Sequence, residues 1–415
     1  MTSTGPGPVA LAADLPARTS GWWAAPDENP GVYVHIPFCR SKCDYCAFAT
    51  WTDKADLISR YLGALGQEIG VRLRGRRASS VFVGGGTPSL LDGDELGELI
   101  RQVLVAGHAS GAGSDADEPK RREVTVECNP DDASEVLFRA WKSAGVTRVS
   151  LGVQSMDPAV LVSLGRRHSP QAVPRAIGWA KEIGFSVNAD LIVGAVGQSS
   201  SEVTRSVREL VACGVDHVSA YGLTVEPGTA LALDPSRYPD DDDIAAKYER
   251  VDRALEESGL CWYEISNWAR EGHECQHNVS TWMGGSYVGV GCSAHSFEGG
   301  QRAWNVRTPE RYLAAIEAGE SAVAAVDRAA DGARERAWLS LRTRRGIGAI
   351  GAINGNGAIG AIGGNGGNEV DGETCRWLEQ QGLLEPVGVG GTVRWVLSRR
   401  GRLLADAVGR ALGLP

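Results

Sequence analysis

Short β-branched runs alternate with longer helical patterns through residues 31–265 of this 415-residue chain. Each run is long enough for one buried strand, and the segments between the runs repeat apolar residues at the spacing of a helix face. Such alternation predicts parallel strands joined by right-handed helical crossovers. A closed barrel needs eight such units, so six predict an open, partial (β/α)6 barrel. The predicted strands are Val32–Ile36, Ser80–Val83, Val124–Cys128, Val146–Val153, Val187–Val193 and Val215–Val225.

The rest of the chain divides by composition. Residues 1–30 are rich in Pro, Gly, Ala and Thr, which predicts a mobile leader. After the barrel, 266–330 form a connecting region, and 331–415 predict a smaller α/β module that resembles a winged helix. Within that module, 346–367 form a low-complexity loop insertion of Gly, Ile, Ala and Asn. Helices are predicted at Pro309–Gly319, Arg334–Arg345, Cys375–Gln381 and Arg402–Leu412.

Composition narrows the class of protein. Hydrophobic residues make up 43% of the chain, which suits a globular core, and no apolar run has the length of an integral membrane segment. The net charge of −9 argues against a nucleic-acid partner, although Arg399, Arg400 and Arg402 keep a nucleic-acid-binding regulator open as a third hypothesis. The absence of a secretory signal and the odd count of nine cysteines predict a cytoplasmic protein.

Three cysteines follow the first predicted strand with the spacing C-x3-C-x2-C: Cys39, Cys43 and Cys46. Three thiolates held this close can bind three corners of a [4Fe–4S] cluster, which leaves the fourth iron open to a small molecule. A structural zinc site needs four ligands, usually in paired spacings. No second C-x2-C occurs in the chain, so zinc is the weaker alternative.

Polar residues recur where the predicted strands end, which is the rim at which ligands gather in parallel sheets. The segment Gly84–Pro88 lets backbone groups approach a ligand closely, unless it is only a flexible turn. Glu127 and Asp190 are costly to bury in a sheet without hydrogen bonds, and the hydroxyls of a ribose would supply them. Gln154 ends the fourth strand, and Arg166 is either a fork of donors for a carboxylate or a surface arginine.

Together these motifs resemble the radical S-adenosylmethionine (SAM) enzymes and, among them, the oxygen-independent coproporphyrinogen III oxidase family. Within that family the sequence is most similar to the HemW branch, whose members are described as haem chaperones. The likeness runs from about Tyr33 to the C-terminus, apart from the insertion. The segments that carry it are Tyr33–Phe48, Glu127–Pro130, Arg148–Ser155, Asp190–Gly194 and Ser219–Thr229.

The resemblance implies a role for each matching residue. Cys39, Cys43 and Cys46 would ligate the cluster, and SAM would chelate the open iron through its amino and carboxylate groups. An electron donor would reduce the cluster, whose electron would cleave SAM to methionine and a 5′-deoxyadenosyl radical. The residues implied to line the SAM pocket are Tyr33, Tyr45, Gly85, Gly86, Thr87, Glu127, Gln154, Arg166 and Asp190.

Two departures from the family pattern bear on function. Coproporphyrinogen oxidases carry a further cysteine two residues after the third ligand, where this chain has Phe48. This favours a haem chaperone, with haem-accepting proteins as partners, over the alternative of a SAM-dependent coproporphyrinogen III oxidase. The HemW motif H-N-x-x-Y-W is present from His277 to Trp282, with Thr281 in place of tyrosine. His277 is implied to be an axial haem ligand, and a hydrogen-bonded loop histidine is its alternative role.

The segment His273–His277 also matches the zinc peptidase pattern H-E-x-x-H. That pattern works only where both histidines share one face of a helix. Gly272 precedes the segment, and Val279 and Thr281 lower the helix propensity after it. A peptidase site is therefore not predicted.

Overall fold

A computed structural model of the chain describes residues 29–106, 122–328, 332–350, 369–389 and 392–415. The predicted leader, apart from its last two residues, lies outside the described residues. The same is true of most of the predicted insertion at 346–367, of which only the first five residues are described.

Twelve of the described strands form one sheet, in the order β12-β11-β10-β9-β1-β2-β3-β4-β5-β6-β8-β7. The first six strands are parallel, and each pairs with the next, as the sequence predicts. The sheet does not close on itself, so the predicted partial barrel is confirmed. The strands are β1 (Gly31–Ile36), β2 (Ser80–Gly85), β3 (Glu123–Cys128), β4 (Arg148–Gln154), β5 (Ser186–Val193), β6 (His217–Gly222), β7 (Cys261–Glu264), β8 (Asn267–Ala269), β9 (Tyr287–Val290), β10 (His295–Glu298), β11 (Gln301–Asn305) and β12 (Val323–Asp327).

Six further strands extend this sheet beyond the repeating pattern. β9 pairs parallel with β1, and β10, β11 and β12 continue that edge in antiparallel fashion. At the other edge, β8 and β7 follow β6. Each of these strands has only three to five residues, too few for the β-branched runs that mark β1 to β6. The sequence pattern missed them for that reason.

Helices connect the strands and pack on the outside of the barrel. In the first helix the buried side chains include Tyr61, Leu65 and Ile69, spaced four residues apart on one face. Among the described residues, no helix is long and apolar enough to cross a membrane. The helices are α1 (Ile58–Arg72), α2 (Gly93–Val105), α3 (Glu135–Ser143), α4 (Pro158–Ser163), α5 (Ala172–Ile183), α6 (Ser200–Ala212), α7 (Asp241–Glu257), α8 (Gln276–Trp282), α9 (Pro309–Glu317), α10 (Gly332–Leu341), α11 (Gly372–Gln380), α12 (Arg399–Leu403) and α13 (Ala405–Ala411).

A second sheet of four strands lies in the C-terminal part, in the order β14-β13-β16-β15. It encloses its own apolar core with α10, α11 and α13. The single helix predicted at Arg402–Leu412 is wrong, because α12 and α13 are separated at Leu404. Ser398 starts α12 three residues early, since its hydroxyl accepts from the Gly401 N–H. The predicted division into domains stays a prediction. The strands are β13 (Ile347–Ile350), β14 (Glu369–Asp371), β15 (Leu384–Val389) and β16 (Thr392–Leu397).

Two of the three arginines of α12, Arg399 and Arg402, contact the barrel. Asp252 of α7 is fully buried, and its carboxylate accepts from Nη1 and Nη2 of Arg402 at 2.8 and 2.6 Å. Arg399 pairs with the same carboxylate, and the indole N–H of Trp268 donates to it at 2.7 Å. The guanidinium of Arg402 also lies 4.5 Å from the ring centroid of Trp262. These two arginines, which the sequence offers as phosphate contacts, join the C-terminal sheet to the barrel.

Candidate functional site

The loop after β1 places the three cysteines at the carboxyl-end rim of the barrel. A short parallel bridge between Phe38 and Trp51 closes the base of the loop. The Cys39 N–H donates to the Trp51 carbonyl at 3.0 Å, and the Trp51 N–H donates to the Pro37 carbonyl at 2.8 Å. All three cysteines have free thiols and are partly exposed. The loop therefore holds all three cysteines at the rim.

The loop supplies three thiols, one fewer than the four ligands of a structural zinc site. Within the ranges the structure describes, no three His, Cys, Asp or Glu side chains converge closely enough to hold one metal ion. Zinc needs its ligands about 2.0–2.3 Å from one common centre, whereas each cysteine of a cubane binds a different iron. Burial raises the pKa of Cys39 and of Cys46, so cluster binding would displace protons from these thiols.

The glycine turn after β2 packs directly against the cysteine loop. The Thr87 N–H donates to the Phe38 carbonyl at 2.8 Å, and the Thr87 hydroxyl lies 3.4 Å from Sγ of Cys39. A Cβ on Gly86 would lie 2.6 Å from the Phe38 carbonyl oxygen, which is too close for any side chain. Gly85 has φ of +109°, a conformation that favours glycine. This turn is therefore shaped for close backbone approach.

Arg166 reaches the cysteine loop from the segment after α4. Its Nη1 donates to Sγ of Cys43 at 3.4 Å, its Nη2 to the Gly152 carbonyl at 2.7 Å and its Nε to Nδ1 of His168 at 3.3 Å. Burial, helped by the adjacent Arg166, lowers the pKa of His168 to about 4, so this imidazole is neutral at pH 7. No carboxylate is among these acceptors, which leaves the charge of Arg166 available for a ligand carboxylate.

Two carboxylates lie inside the barrel, on β3 and β5. Oε2 of Glu127 accepts from the Gly85 N–H at 3.0 Å. Asp190 accepts from Nδ2 of Asn188 at 2.8 Å and from the hydroxyl of Ser150 at 3.2 Å. Burial, followed by repulsion from Asp190, raises the pKa of Glu127 to about 7, and burial also raises that of Asp190. Both side chains are therefore hydrogen-bonded acceptors, and Glu127 contacts the glycine turn directly.

Three further predicted pocket residues lie on the same side of the barrel. Gln154 ends β4 with φ of 66°, the left-handed region that a non-glycine residue rarely adopts. Tyr45 packs against the apolar cluster around Val160 and Leu164. Burial raises the pKa of both Tyr33 and Tyr45, so both phenols stay protonated. The backbone strain at Gln154 is of the kind that persists at ligand sites.

Sequence reasoning missed His35, which ties the cysteine loop to β1. Its Nε2 lies 2.9 Å from the Ala49 carbonyl, and its Nδ1 lies 3.1 Å from the hydroxyl of Tyr33. Burial lowers the pKa of His35, so the neutral ring bridges the strand and the far end of the loop. The signal that would have found it is alternation, because residues two apart on a strand face the same side.

His277 lies at the opposite end of the barrel from the cysteines. It is in the first turn of α8 and only 9% exposed. Its Nδ1 lies 3.0 Å from the hydroxyl of Ser80, and its ring centroid lies 5.5 Å from that of Phe82. Ser80 begins β2, whereas the glycine turn ends it, so about 17 Å of strand separates the two regions. The structure therefore does not bring His277 and the three cysteines together.

The other residues of the motif around His277 contact two different parts of the structure. The Thr281 hydroxyl donates to the His277 carbonyl at 3.0 Å and so points back along the helix. The ring of Trp282 lies under the guanidinium of Arg342 at 5.7 Å, next to α10. His273 precedes α8, whereas His277 lies inside it. The two histidines of H-E-x-x-H therefore share no helix face.

Known proteins place this arrangement in a family. The model of the radical SAM superfamily matches residues 33–210. The heme chaperone HemW of Mycobacterium tuberculosis is 40% identical over 413 residues, which cover 96% of this chain and 98% of that protein. The chain belongs to the HemW family. The heme chaperone HemW of Escherichia coli is 36% identical over 293 residues, covering 68% of this chain and 75% of that protein. The resemblance to HemW inferred from the motifs is thus confirmed.

A solved structure supports the fold of this HemW family member. The coproporphyrinogen III oxidase HemN of Escherichia coli, a radical SAM enzyme, superposes with a TM-score of 0.72. The match covers 94% of this chain and 92% of that chain at 20% sequence identity. At that identity the likeness shows the fold alone. It agrees with the open, partial barrel predicted from the alternating pattern.

Proposed function

We propose that this chain is a haem chaperone, which binds haem and transfers it to acceptor proteins in the cytoplasm. The observation that carries the proposal is the 40% identity with the heme chaperone HemW of Mycobacterium tuberculosis over nearly the full length of both chains. The proposal includes a [4Fe–4S] cluster, SAM and an external electron donor that reduces the cluster.

In this proposal the rim of the barrel holds the cluster and SAM. Cys39, Cys43 and Cys46 are the cluster ligands. When bound, the cluster and SAM supply one-electron chemistry, while the protein supplies placement and excludes water. Arg166 binds the carboxylate of SAM, since its guanidinium lies beside Sγ of Cys43 and donates to no carboxylate among the described residues.

The remaining pocket residues accept or approach the other groups of SAM. Glu127 and Asp190 accept hydrogen bonds from the ribose hydroxyls, while Gln154 and Tyr33 line the same space. The backbone of Gly85, Gly86 and Thr87 approaches the ligand without side chains in the way, and Tyr45 packs behind the loop.

Haem is the cargo in this proposal, and His277 is its axial ligand. Burial lowers the pKa of His277 to about 4, so the ring is neutral at pH 7, as iron ligation requires. The contact between Ser80 and Nδ1 is the type of outer contact that orients ligating histidines. Because Nδ1 makes this contact, Nε2 is the nitrogen offered to iron.

Phe48 argues against the alternative function, oxidation of coproporphyrinogen III. It stands where the decarboxylating members of the family carry a further cysteine, and its side chain is 67% exposed. A thiol at this position is therefore absent from the rim, while the three cluster ligands remain. The chaperone keeps the cluster without that additional residue.

The test begins with anaerobic reconstitution of the cluster and analysis of iron and sulfide per chain. The protein is then titrated with haem and, separately, with coproporphyrinogen III, SAM and a reductant. The proposal predicts a saturable Soret band that weakens strongly in His277→Ala, and no release of CO2. Stoichiometric CO2 release would establish the oxidase instead. Zinc found in place of iron and sulfide would remove the cluster from the proposal.

A further inference from the structure

The proposed haem ligand is enclosed in this structure. His277 is 9% exposed, and its ring contacts Ser80 on one side and Phe82 on another. A porphyrin needs open space around the ligating nitrogen, because the macrocycle extends in all directions from the iron. The enclosure therefore has to open before iron can reach the ring.

A buried ion pair holds the chain on both sides of this histidine. Nε of Arg148 donates to Oε2 of Glu123 at 3.0 Å, and the two side chains are 4% and 6% exposed. Nη2 of Arg148 donates to the carbonyls of His273 and Glu274 at 2.6 and 3.2 Å. Oε1 of Glu123 accepts from the His277 N–H at 3.3 Å. One charged pair thus binds carbonyls before the helix and an amide inside it.

The segment that carries His277 ends at a glycine on each side. Gly272 has φ of +86° and Gly284 has φ of +76°, both in the left-handed region. Between them, α8 has only seven residues, so it has little intrinsic stability of its own. Contacts with the barrel, above all those of Glu123 and Arg148, therefore determine where residues 273–283 lie.

We propose that Glu123 and Arg148 are positioning residues that hold His277 inside the end of the barrel, so that haem reaches it only after residues 273–283 move outward. This inference rests on the proposed function, because it takes His277 as the haem ligand. The ion pair contacts only the backbone of the segment and the Cys275 thiol. It therefore governs access to the ligand without touching haem.

The rate of haem association tests this proposal. If opening precedes binding, the observed rate in the wild-type chain saturates with haem concentration, and the plateau reports the opening step. Arg148→Lys keeps the charge beside Glu123 but loses the forked contact with the carbonyls. Because hydrogen bonds to charged groups are among the stronger ones in proteins, their loss is expected to raise the plateau about tenfold or more. Stopped-flow absorbance in the Soret region measures it.

Two further variants keep the test independent of any folding defect in Arg148→Lys. Gly31→Ala places a methyl group 3.1 Å from the ring of His277 and 3.2 Å from the Ser80 hydroxyl, so it pushes the ring outward without altering the ion pair. Its plateau is also expected to exceed that of the wild type. The matched control is Arg402→Lys, which changes a similarly buried ion pair on α12 and should leave the plateau unchanged.

The outcomes separate this proposal from the one it rests on. Higher plateau rates in Arg148→Lys and Gly31→Ala, with the rate of the control unchanged, support the positioning role. A rate that rises linearly with haem and is equal in all variants overturns it, while the haem band still depends on His277. A Soret band that is unaltered in His277→Ala removes the proposed ligand and this inference together.

Discussion

Nη1 of Arg166 donates to Sγ of Cys43 at 3.4 Å, so a predicted cluster ligand and the predicted carboxylate-binding arginine are in direct contact. These residues, 123 positions apart in sequence, are joined because the segments after β1 and β4 both lie at the same rim. None of the hydrogen-bond acceptors of Arg166 in the described part of the chain is a carboxylate. A ligand that spans an open iron and this guanidinium fits the space between them.

Removing the guanidinium should weaken SAM binding. Arg166→Ala is expected to lower SAM affinity by about 10- to 100-fold, because a hydrogen bond to a charged group contributes about 1.5–3 kcal/mol. Equilibrium dialysis with labelled SAM on the reconstituted protein measures the change. Arg167→Ala, at the exposed neighbouring position, is the control and should bind like the wild type. Equal affinity in the two variants would contradict the role given to Arg166.

The glycine turn predicts a steric effect on the cysteine loop. Gly86→Ala places a Cβ 2.6 Å from the Phe38 carbonyl oxygen, and relief of such overlap typically costs about 1–3 kcal/mol. The free energy of unfolding and the iron content per chain should both fall. Gly63→Ala is the control, because its Cβ meets nothing within 4 Å on α1 and alanine favours helix. A Gly86→Ala chain with unchanged stability and iron content would show that the close approach is not required.

Glu127 predicts a dependence of stability on pH. Its pKa is raised from 4.5 to about 7 in the folded chain, so the folded state holds a proton that the unfolded state has already lost. This contribution to stability is complete below pH 4.5 and is lost as pH rises toward 7. Glu127→Gln keeps an acceptor for Gly85 and removes the titration. Its stability relative to wild type should therefore rise between pH 4.5 and 7, by at most about 3 kcal/mol.

Thermal unfolding of both chains across that range provides the measurement. Glu264, whose pKa burial also raises to about 7, titrates in both chains and cancels from the difference. A difference between wild type and Glu127→Gln that stays constant from pH 4.5 to 7 would show that Glu127 titrates as an ordinary carboxyl.

The ion pair of Arg402 with Asp252 predicts that the C-terminal sheet is attached to the barrel through α12. Among the described residues, Arg402→Ala leaves a fully buried carboxylate with Arg399 as its one ionic partner. Loss of one partner of a buried pair costs about 3–5 kcal/mol. Limited proteolysis should then cut the C-terminal part much faster than in wild type. Arg410→Ala, at an exposed position of α13, should be digested like the wild type. Similar digestion of the two variants would mean that other contacts hold the sheet.

The parts of the fold that carry strong periodicity could be predicted from sequence. β1 to β6 each have a β-branched run, and their order follows from the rule for parallel crossovers. β7 to β12 are too short to carry a pattern, and their position depends on partners far away in sequence, such as β1 for β9. The predicted start of a helix is wrong where a single N-cap residue determines it, as Ser398 does for α12.

The candidate site could be predicted only in part, because some of its contacts join residues that are far apart in sequence. The local spacing of Cys39, Cys43 and Cys46 indicates cluster binding. The rule that parallel strands end at one rim predicts which other residues lie near them. His35 and His168 act through contacts with Ala49 and Arg166, which no local spacing reveals. The enclosure of His277 depends on Glu123 and Arg148, more than 120 residues away.

Haem transfer tests the central claim most directly. Haem-loaded protein, with its cluster reconstituted anaerobically, is mixed with the apo form of a haem enzyme from the chain's own organism, and the haem on each is followed after rapid separation. The account predicts that the acceptor gains the haem that the chain loses, faster than the chain releases haem to a passive scavenger such as apomyoglobin. Transfer no faster than passive release would contradict a chaperone function.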